Sequence, residues 1–177
     1  LDAAVARAFG DHLAPAQKEG LGTRGIVVVR DGVVVAERYA PGFTDRTPQL
    51  GWSMAKSVTN LVVGRLVQQG KVSVDDAGLR PEWTDGRREI TIDNLMRMTS
   101  GLAWDEAYQL GSPITRMLYT EPDMASFVAS QPSAHPVGAV QQYSSGSTTL
   151  LCSVLAVRAG AGADLMRREI FEPLGLT

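Results

Sequence analysis

The sequence predicts an α+β fold with one β-hairpin and six or more helices. Val-rich runs surround Asp31-Gly32, and this dipeptide is a strong signal for a two-residue hairpin turn. Most of the remaining sequence shows the apolar spacing of helices. With 177 residues, 44% of them hydrophobic, the chain can bury a core of its own.

The N-terminal region, residues 1–50, is predicted to combine a helix with this hairpin. Apolar residues recur with a helical period within residues 1–19, at Leu1, Val5, Ala8, Phe9 and Leu13. The two strands follow on either side of Asp31-Gly32. Residues 41–52 have the Pro, Gly, Asp and Thr content of a loop.

The second region, residues 51–177, is predicted to be mostly helical. A helix over 53–70 ends at Gly70, and a short one begins at Thr91 or Asp93 and ends before Gly101. Further helices are predicted over 113–119, 122–130, 144–160 and 163–176. A short extended piece is predicted to end at Tyr143.

Composition excludes several classes of function. The net charge is −2 and no basic block is present, so neither nucleic acid nor an anionic membrane surface is indicated. No apolar run is long enough to span a membrane. With only His12 and His135 and no zinc-binding spacing, we expect no metal and no cofactor. The single cysteine, Cys152, lies in an apolar helical pattern and is interpreted as a small core residue.

Ser53 and Lys56 are three residues apart at the start of the predicted 53–70 helix. Residues at this spacing share one helix face. A serine hydroxyl needs a proton acceptor before it becomes a nucleophile, and a desolvated lysine can be neutral near pH 7. The pair therefore has the components of an acyl-transfer centre. The alternative is a helix-capping serine beside a solvated lysine.

A second candidate element is Tyr143-Ser144-Ser145, at the start of the 144–160 helix. A tyrosine close to a lysine can act as a phenolate or a proton relay. Ser145 can hydrogen-bond the lysine and hold it in place. The alternative is a packed aromatic residue followed by a helix cap.

Together these elements resemble the serine β-lactamase and penicillin-binding superfamily, and within it the class C branch. The segments GWSMAKSVTNLVVGRLVQQGKVSVDD, ITIDNLMRMTSGL and FEPLGLT are similar to segments of that branch, with Met98 at its usual His position. Tyr143-x-Ser145 follows about ninety residues after Ser53, as in that branch. The resemblance extends over nearly the whole chain.

The resemblance implies a β-lactamase/transpeptidase-like fold of the α/β sandwich type, in which helices flank an antiparallel sheet beside an all-helical region. Ser53 would be the acylated nucleophile, Lys56 would take and pass its proton, and Tyr143 would be the general base. The chain looks most like carboxylesterases and 6-aminohexanoate-dimer hydrolases. Tyr108 falls where the 6-aminohexanoate-dimer hydrolases place a tyrosine over the cleft; the alternative is a surface or packing aromatic residue. Apart from the resemblance, the position of Trp52 next to Ser53 makes it a candidate for the wall of an apolar acyl pocket, and the alternative is a core tryptophan.

One departure from this family concerns its third motif, Lys-Thr-Gly or His-x-Gly, which has no match after Tyr143. The family places that motif on a strand that also supplies an oxyanion-hole N–H. A two-stranded hairpin is also too small a sheet to be stable alone. We therefore expect a C-terminal fragment or a second chain to complete the sheet, and full activity to require it.

Several functions remain open at this point. The favoured one is hydrolysis of a small ester or linear amide. The alternatives on the same scaffold are a β-lactamase, a D-Ala-D-Ala carboxypeptidase and a non-catalytic penicillin-binding-like sensor. An α/β-hydrolase is disfavoured because no apolar strand precedes Ser53, and His135 lies in a Pro-flanked loop. The family that the chain resembles occurs inside bacterial cells and as exported proteins, so the compartment stays open between cytoplasm and periplasm or medium.

Overall fold

The structure, a computed structural model, describes residues 1–176. These residues divide into two compact units, Leu1–Leu50 and a second unit from Gly51 onward. None of the helices in the described part of the chain is long and apolar enough to cross a bilayer.

The first unit contains two short helices and a hairpin. Helix α1 is Asp2–Ala8, α2 is Pro15–Lys18, β1 is Gly25–Arg30 and β2 is Val33–Tyr39. The prediction of one helix within residues 1–19 is wrong in its extent. Gly10 has a φ of 65°, which is outside the helical range, and Pro15 then starts a new helix.

The hairpin turn has the geometry that Asp-Gly favours. Asp31 and Gly32 both have positive φ, at 51° and 78°, as a type I′ turn requires. The antiparallel register runs from Gly25 opposite Tyr39 to Arg30 opposite Val33. Among the described residues the sheet has only these two strands. Much of their apolar surface is exposed, at Val27, Val29, Val33, Val34 and Val35.

The second unit is helical. Its elements are α3 (Met54–Gln68), a 3₁₀ turn (Gly86–Glu89), α4 (Ile92–Met96), α5 (Pro113–Tyr119), α6 (Met124–Ala129), α7 (Ser145–Ala159), a π turn (Arg167–Phe171) and α8 (Glu172–Leu174). The predicted stop after α3 is confirmed, since Gly70 has a φ of 68°. Of the two predicted starts for α4, Thr91 is the cap, in a capping box with Asn94.

Two predictions in this unit are wrong. The final helix is not a continuous α-helix over 163–176: Glu172 N–H donates to the Arg167 carbonyl in a π turn. Pro173 follows directly and lacks the N–H that a regular helix would donate to the carbonyl four residues earlier. The segment before Tyr143 is irregular rather than a strand; its Gln142 N–H donates to the Met98 carbonyl instead of to a neighbouring strand.

The core of the second unit lies between α3, α4, α5, α6 and α7. α3 and α7 are its longest helices, and they contact each other. Fully buried side chains from the two helices share this core, at Val62, Val63, Leu66, Leu150, Leu151 and Leu155. Buried Trp83 belongs to the same core and donates its Nε1–H to the Ala129 carbonyl at 2.8 Å. α3 and α7 are thereby held side by side.

Candidate active site

Helix α3 brings Ser53 and Lys56 together. Lys56 Nζ donates to Ser53 Oγ at 3.1 Å. Ser53 occupies the N-cap position, yet its side chain makes no capping hydrogen bond. Its hydroxyl is therefore turned towards Lys56 instead of towards the helix amides, unlike that of a capping serine.

Tyr143 and Ser145 lie at the same point, although they are about ninety residues further along the chain. The Tyr143 hydroxyl is 2.6 Å from Ser53 Oγ. Lys56 Nζ donates to Ser145 Oγ at 3.1 Å and lies 4.8 Å from the centroid of the Tyr143 ring. Ser53, Lys56, Tyr143 and Ser145 thus form one hydrogen-bonded cluster.

Ser144 is the residue that caps α7, so the Ser145 side chain is not needed as a cap and can accept a hydrogen bond from Lys56. Buried Ser144 accepts a hydrogen bond from Ser147 N–H through its Oγ at 2.9 Å. Its own N–H donates to Met98 Sδ at 3.4 Å. Met98 has a positive φ of 57°, so the residue at the family's usual His position supports the start of α7.

The electrostatics of the cluster favour a more acidic phenol. The interaction of Tyr143 with the nearby Lys56 ammonium, and then its hydrogen bond with Ser53, lower its pKa from the ordinary 10.0. Burial and the negative charge of Glu106 act in the opposite direction but are weaker than the combined effect. A phenol with a lowered pKa, 2.6 Å from a hydroxyl, is well placed to accept that hydroxyl's proton.

Sequence patterns did not identify Glu106, which is part of this cluster. Ser145 donates to it twice, from its hydroxyl to Oε1 and from its backbone N–H to Oε2 at 2.9 Å. Buried Trp104 donates its Nε1–H to Oε2 at 2.5 Å. The sequence signal for Glu106 was an acidic residue two positions before Tyr108, and it did not indicate which residue Glu106 would contact.

Trp52 and Tyr108 are exposed side chains beside Ser53. They line a cavity of about 310 Å³ together with Ser53, Lys56, Ile114 and Met117. Trp52 is 68% exposed, so it is not a core residue. Its φ of 43° is rare for a side chain of this size and stores backbone strain directly before Ser53.

The start of a helix often presents free N–H groups that can hold an anion, but the first amides of α3 are not free. The N–H groups of Met54, Ala55 and Lys56 already donate, in that order, to the carbonyls of the three preceding residues, 51–53. This tight first turn leaves those three donors occupied. An oxyanion would have to be held by other groups.

Within residues 1–176, no three His, Cys, Asp or Glu side chains come together as a metal site would require. Cys152 is half-buried and lies 3.5 Å from Thr59 Oγ1. Burial raises the pKa of its thiol, as is expected for a packed cysteine rather than a reactive one.

The family model described as Beta-lactamase matches residues 5–177, which is almost the entire chain. The chain belongs to the Beta-lactamase family. Its predicted resemblance to the serine β-lactamase and penicillin-binding superfamily is confirmed, as is the α+β fold class with helices and an antiparallel sheet. No curated protein matches the sequence.

Solved structures share the fold of this family member. A protein from Bacteroides dorei DSM 17855 assigned as a β-lactamase has a TM-score of 0.77 at 22% identity, over 99% of this chain and 51% of its own. EstCE1, a hydrolase with promiscuous acyltransferase activity, has a TM-score of 0.70 at 24% identity, over 99% and 53%. A protein from Bacillus anthracis assigned as a 6-aminohexanoate-dimer hydrolase has a TM-score of 0.67 at 21% identity, over 81% and 42%. The chain spans about half the length of these structures.

Proposed function

We propose that the protein is a serine hydrolase that forms an acyl-enzyme on Ser53 and cleaves small carboxylic esters or linear amides. The observation that carries this proposal is the position of Ser53 Oγ, 2.6 Å from the Tyr143 hydroxyl and 3.1 Å from Lys56 Nζ. A nucleophile within hydrogen-bond reach of a base, and a base held by a further group, is the arrangement that covalent catalysis needs. Membership of a family of serine hydrolases supports it.

The acylation step follows from this geometry. Tyr143, as the phenolate beside the Lys56 ammonium, accepts the Ser53 proton while Oγ attacks the substrate carbonyl carbon. The tetrahedral intermediate then collapses, the carbonyl re-forms, and the bond to the leaving alcohol or amine breaks. Tyr143 gives its proton to that leaving group, which restores the phenolate.

Deacylation repeats the same proton transfers with water. Tyr143 accepts a proton from a water molecule that attacks the ester carbonyl of the acyl-enzyme. Collapse of the second tetrahedral intermediate breaks the bond to Ser53 Oγ, which recovers its proton from Tyr143. The carboxylic acid leaves. In this scheme Lys56 does not take the Ser53 proton, as the family resemblance implied, because Lys56 Nζ itself donates to Ser53 Oγ; it keeps its charge throughout and stabilises the phenolate.

The lining of the cavity beside Ser53 supports an apolar acyl group. Ile114 and Met117 are buried in its wall, and Trp52 and Tyr108 stand at its exposed side. Apolar acyl groups gain free energy from contact with such surfaces. Ser145 is already hydrogen-bonded to Lys56 and Glu106, so it has little capacity to grip a substrate amide. Both features favour esters over β-lactams.

The proposal is tested by covalent labelling with a fluorophosphonate and by turnover of p-nitrophenyl esters. Wild-type protein is expected to be labelled on Ser53, as located by peptide mass spectrometry, and to release p-nitrophenol. Ser53→Ala is expected to abolish both without lowering the thermal midpoint. Ser57→Ala, an exposed serine one turn further along α3, is the matched control and keeps both activities.

The outcomes separate the alternatives. Labelling at Ser53 by a fluorescent β-lactam without turnover of any ester would favour the penicillin-binding-like sensor. Turnover of β-lactams in place of esters would favour a β-lactamase. Undiminished ester turnover by Ser53→Ala would overturn the proposal.

A further inference from the structure

The Glu106 carboxylate has three hydrogen-bond donors around it. They are the Ser145 hydroxyl, the Ser145 N–H and the Trp104 indole N–H. An ionised carboxylate only accepts hydrogen bonds, and a serine hydroxyl has only one proton to donate. The proton of Ser145 is therefore committed to Glu106.

This commitment determines how Ser145 meets Lys56. With its proton used, Ser145 Oγ can only accept, so Lys56 Nζ must be the donor across their 3.1 Å contact. That contact fixes one N–H of Lys56. A second N–H then points at Ser53 Oγ, also at 3.1 Å. The hydrogen bonds from Ser145 to Glu106 and from Lys56 to Ser145 thus have directions that are determined from the Glu106 end.

We propose that Glu106 is a positioning residue that acts through Ser145 to hold Lys56 as a hydrogen-bond donor in front of Ser53. The inference rests on the proposed function, because it assigns Glu106 a part in activating the same serine.

The surroundings of Glu106 are built to hold its carboxylate in place. Trp104 is buried and its ring lies against Gly146, the second residue of α7, leaving no room for a larger side chain there. The negative charge faces the N-terminus of the 15-residue helix α7, where it is stabilised by the helix dipole. Replacing Glu106 by glutamine keeps its shape and its acceptor for the indole.

The charged groups around Lys56 are few among the described residues. Asp93 of α4 and Arg97, directly after α4, line a cavity with it, and they form an ion pair with each other at 2.8 Å. Tyr143 faces it from the start of α7. Glu106 reaches it through Ser145. The negative charge of Asp93 is therefore paired with Arg97. Glu106 is the carboxylate that hydrogen bonds connect to Lys56, through Ser145.

Glu106→Gln is expected to change the pH dependence in a defined direction. The new amide can donate to Ser145, so Ser145 Oγ is no longer restricted to accepting from Lys56, and Lys56 loses its fixed position. Loss of the negative charge also removes an influence that raises the pKa of Tyr143. A lower pKa keeps Tyr143 a phenolate to lower pH, so the acid limb of the pH profile moves to lower pH. Loss of the fixed Lys56 orientation slows the reaction at the optimum, by about 10- to 100-fold.

The measurement is the rate of fluorophosphonate labelling at Ser53 as a function of pH, for wild type, Glu106→Gln and Glu121→Gln. Glu121 is the matched control, since it is also half-buried in this unit but hydrogen-bonds Arg116 instead. The inference is supported if Glu106→Gln is labelled more slowly than wild type and has its acid limb at lower pH, while Glu121→Gln shows neither change. A Glu106→Gln profile that coincides with those of wild type and the control overturns it.

A second variant keeps the test decisive if Glu106→Gln does not fold. Ser145→Ala keeps the contacts of Glu106 with Trp104 and with the backbone N–H at position 145, and it should slow labelling to a similar extent. If both single variants fold, adding Glu106→Gln to Ser145→Ala should slow labelling further by less than about 3-fold. Fully multiplicative effects, or a Ser145→Ala variant that labels at the wild-type rate, would overturn the role of Ser145 as the link. Absence of Ser53 labelling in the wild type would instead overturn the proposed function.

Discussion

Gly146→Ala is expected to destabilise the second unit, although alanine is the better helix former. A Cβ at this position would lie 2.7 Å from two ring carbons of Trp104 and 2.9 Å from a third. Non-bonded carbons prefer about 3.5–4.0 Å, so the indole must retreat by about 1 Å. Such overpacking costs about 1–3 kcal/mol, and helix propensity returns at most about 1 kcal/mol. Because three contacts with a buried ring fall below 3.0 Å, the upper part of this cost applies, about 2–3 kcal/mol, and the expected net loss is about 1–2 kcal/mol.

The assay is thermal and urea unfolding followed by circular dichroism. For a chain of this size, each kcal/mol lowers the thermal midpoint by about 2–4 °C, so a fall of about 2–8 °C is expected. Gly64→Ala is the matched control: this glycine lies in the middle of α3, and a Cβ there meets no atom within 4 Å. It should stabilise by about 0.5–1 kcal/mol. A Gly146→Ala variant as stable as Gly64→Ala would refute the steric reasoning.

Two further predictions concern tyrosines. Tyr143→Phe removes the proposed proton acceptor and should slow ester turnover by about 10²-fold or more; a change of only a few-fold would remove Tyr143 from the mechanism. In a titration followed by phenolate absorbance, Tyr143 should ionise below the ordinary pKa of 10.0, whereas Tyr39, hydrogen-bonded to Glu37, has its pKa raised to about 12. Tyr143→Phe should therefore remove the step at lowest pH and Tyr39→Phe the step at highest pH. Curves that lose the same step in both variants would contradict these assignments.

Local patterns in the sequence predict those parts of the fold that depend on neighbouring residues. The Asp31-Gly32 turn, the Thr91 cap and the stop at Gly70 each follow from the backbone preferences of one or two residues. The joint position of Ser53 and Lys56 follows from helix periodicity. That these two residues meet Tyr143 came from the family resemblance rather than from any pattern in the chain.

The sequence did not predict two kinds of feature. Some depend on contacts between distant segments, and others arise where one glycine or proline interrupts a helical pattern. Glu106 meets Ser145 across 39 positions, because the loop before α5 folds back over the start of α7. The π turn before Pro173 and the break at Gly10 interrupt patterns that are otherwise helical. The segment before Tyr143 has strand-like composition, yet it hydrogen-bonds to the backbone at Met98.

The pairing of α3 and α7 has a consequence for mutational surveys of this protein. Ser53 and Tyr143 stand at the starts of two helices whose separation is set by interior side chains such as Leu66 and Leu150. Their 2.6 Å contact loses most of its strength once the two oxygens separate beyond about 3.5 Å. A substitution such as Leu150→Ala leaves a cavity in this core, and a shift of the helices by about 1 Å would be enough to reach that separation. A survey that scores variants by turnover alone would therefore rank such interior positions beside the proposed catalytic residues, and only a parallel measurement of folding would tell the two kinds apart.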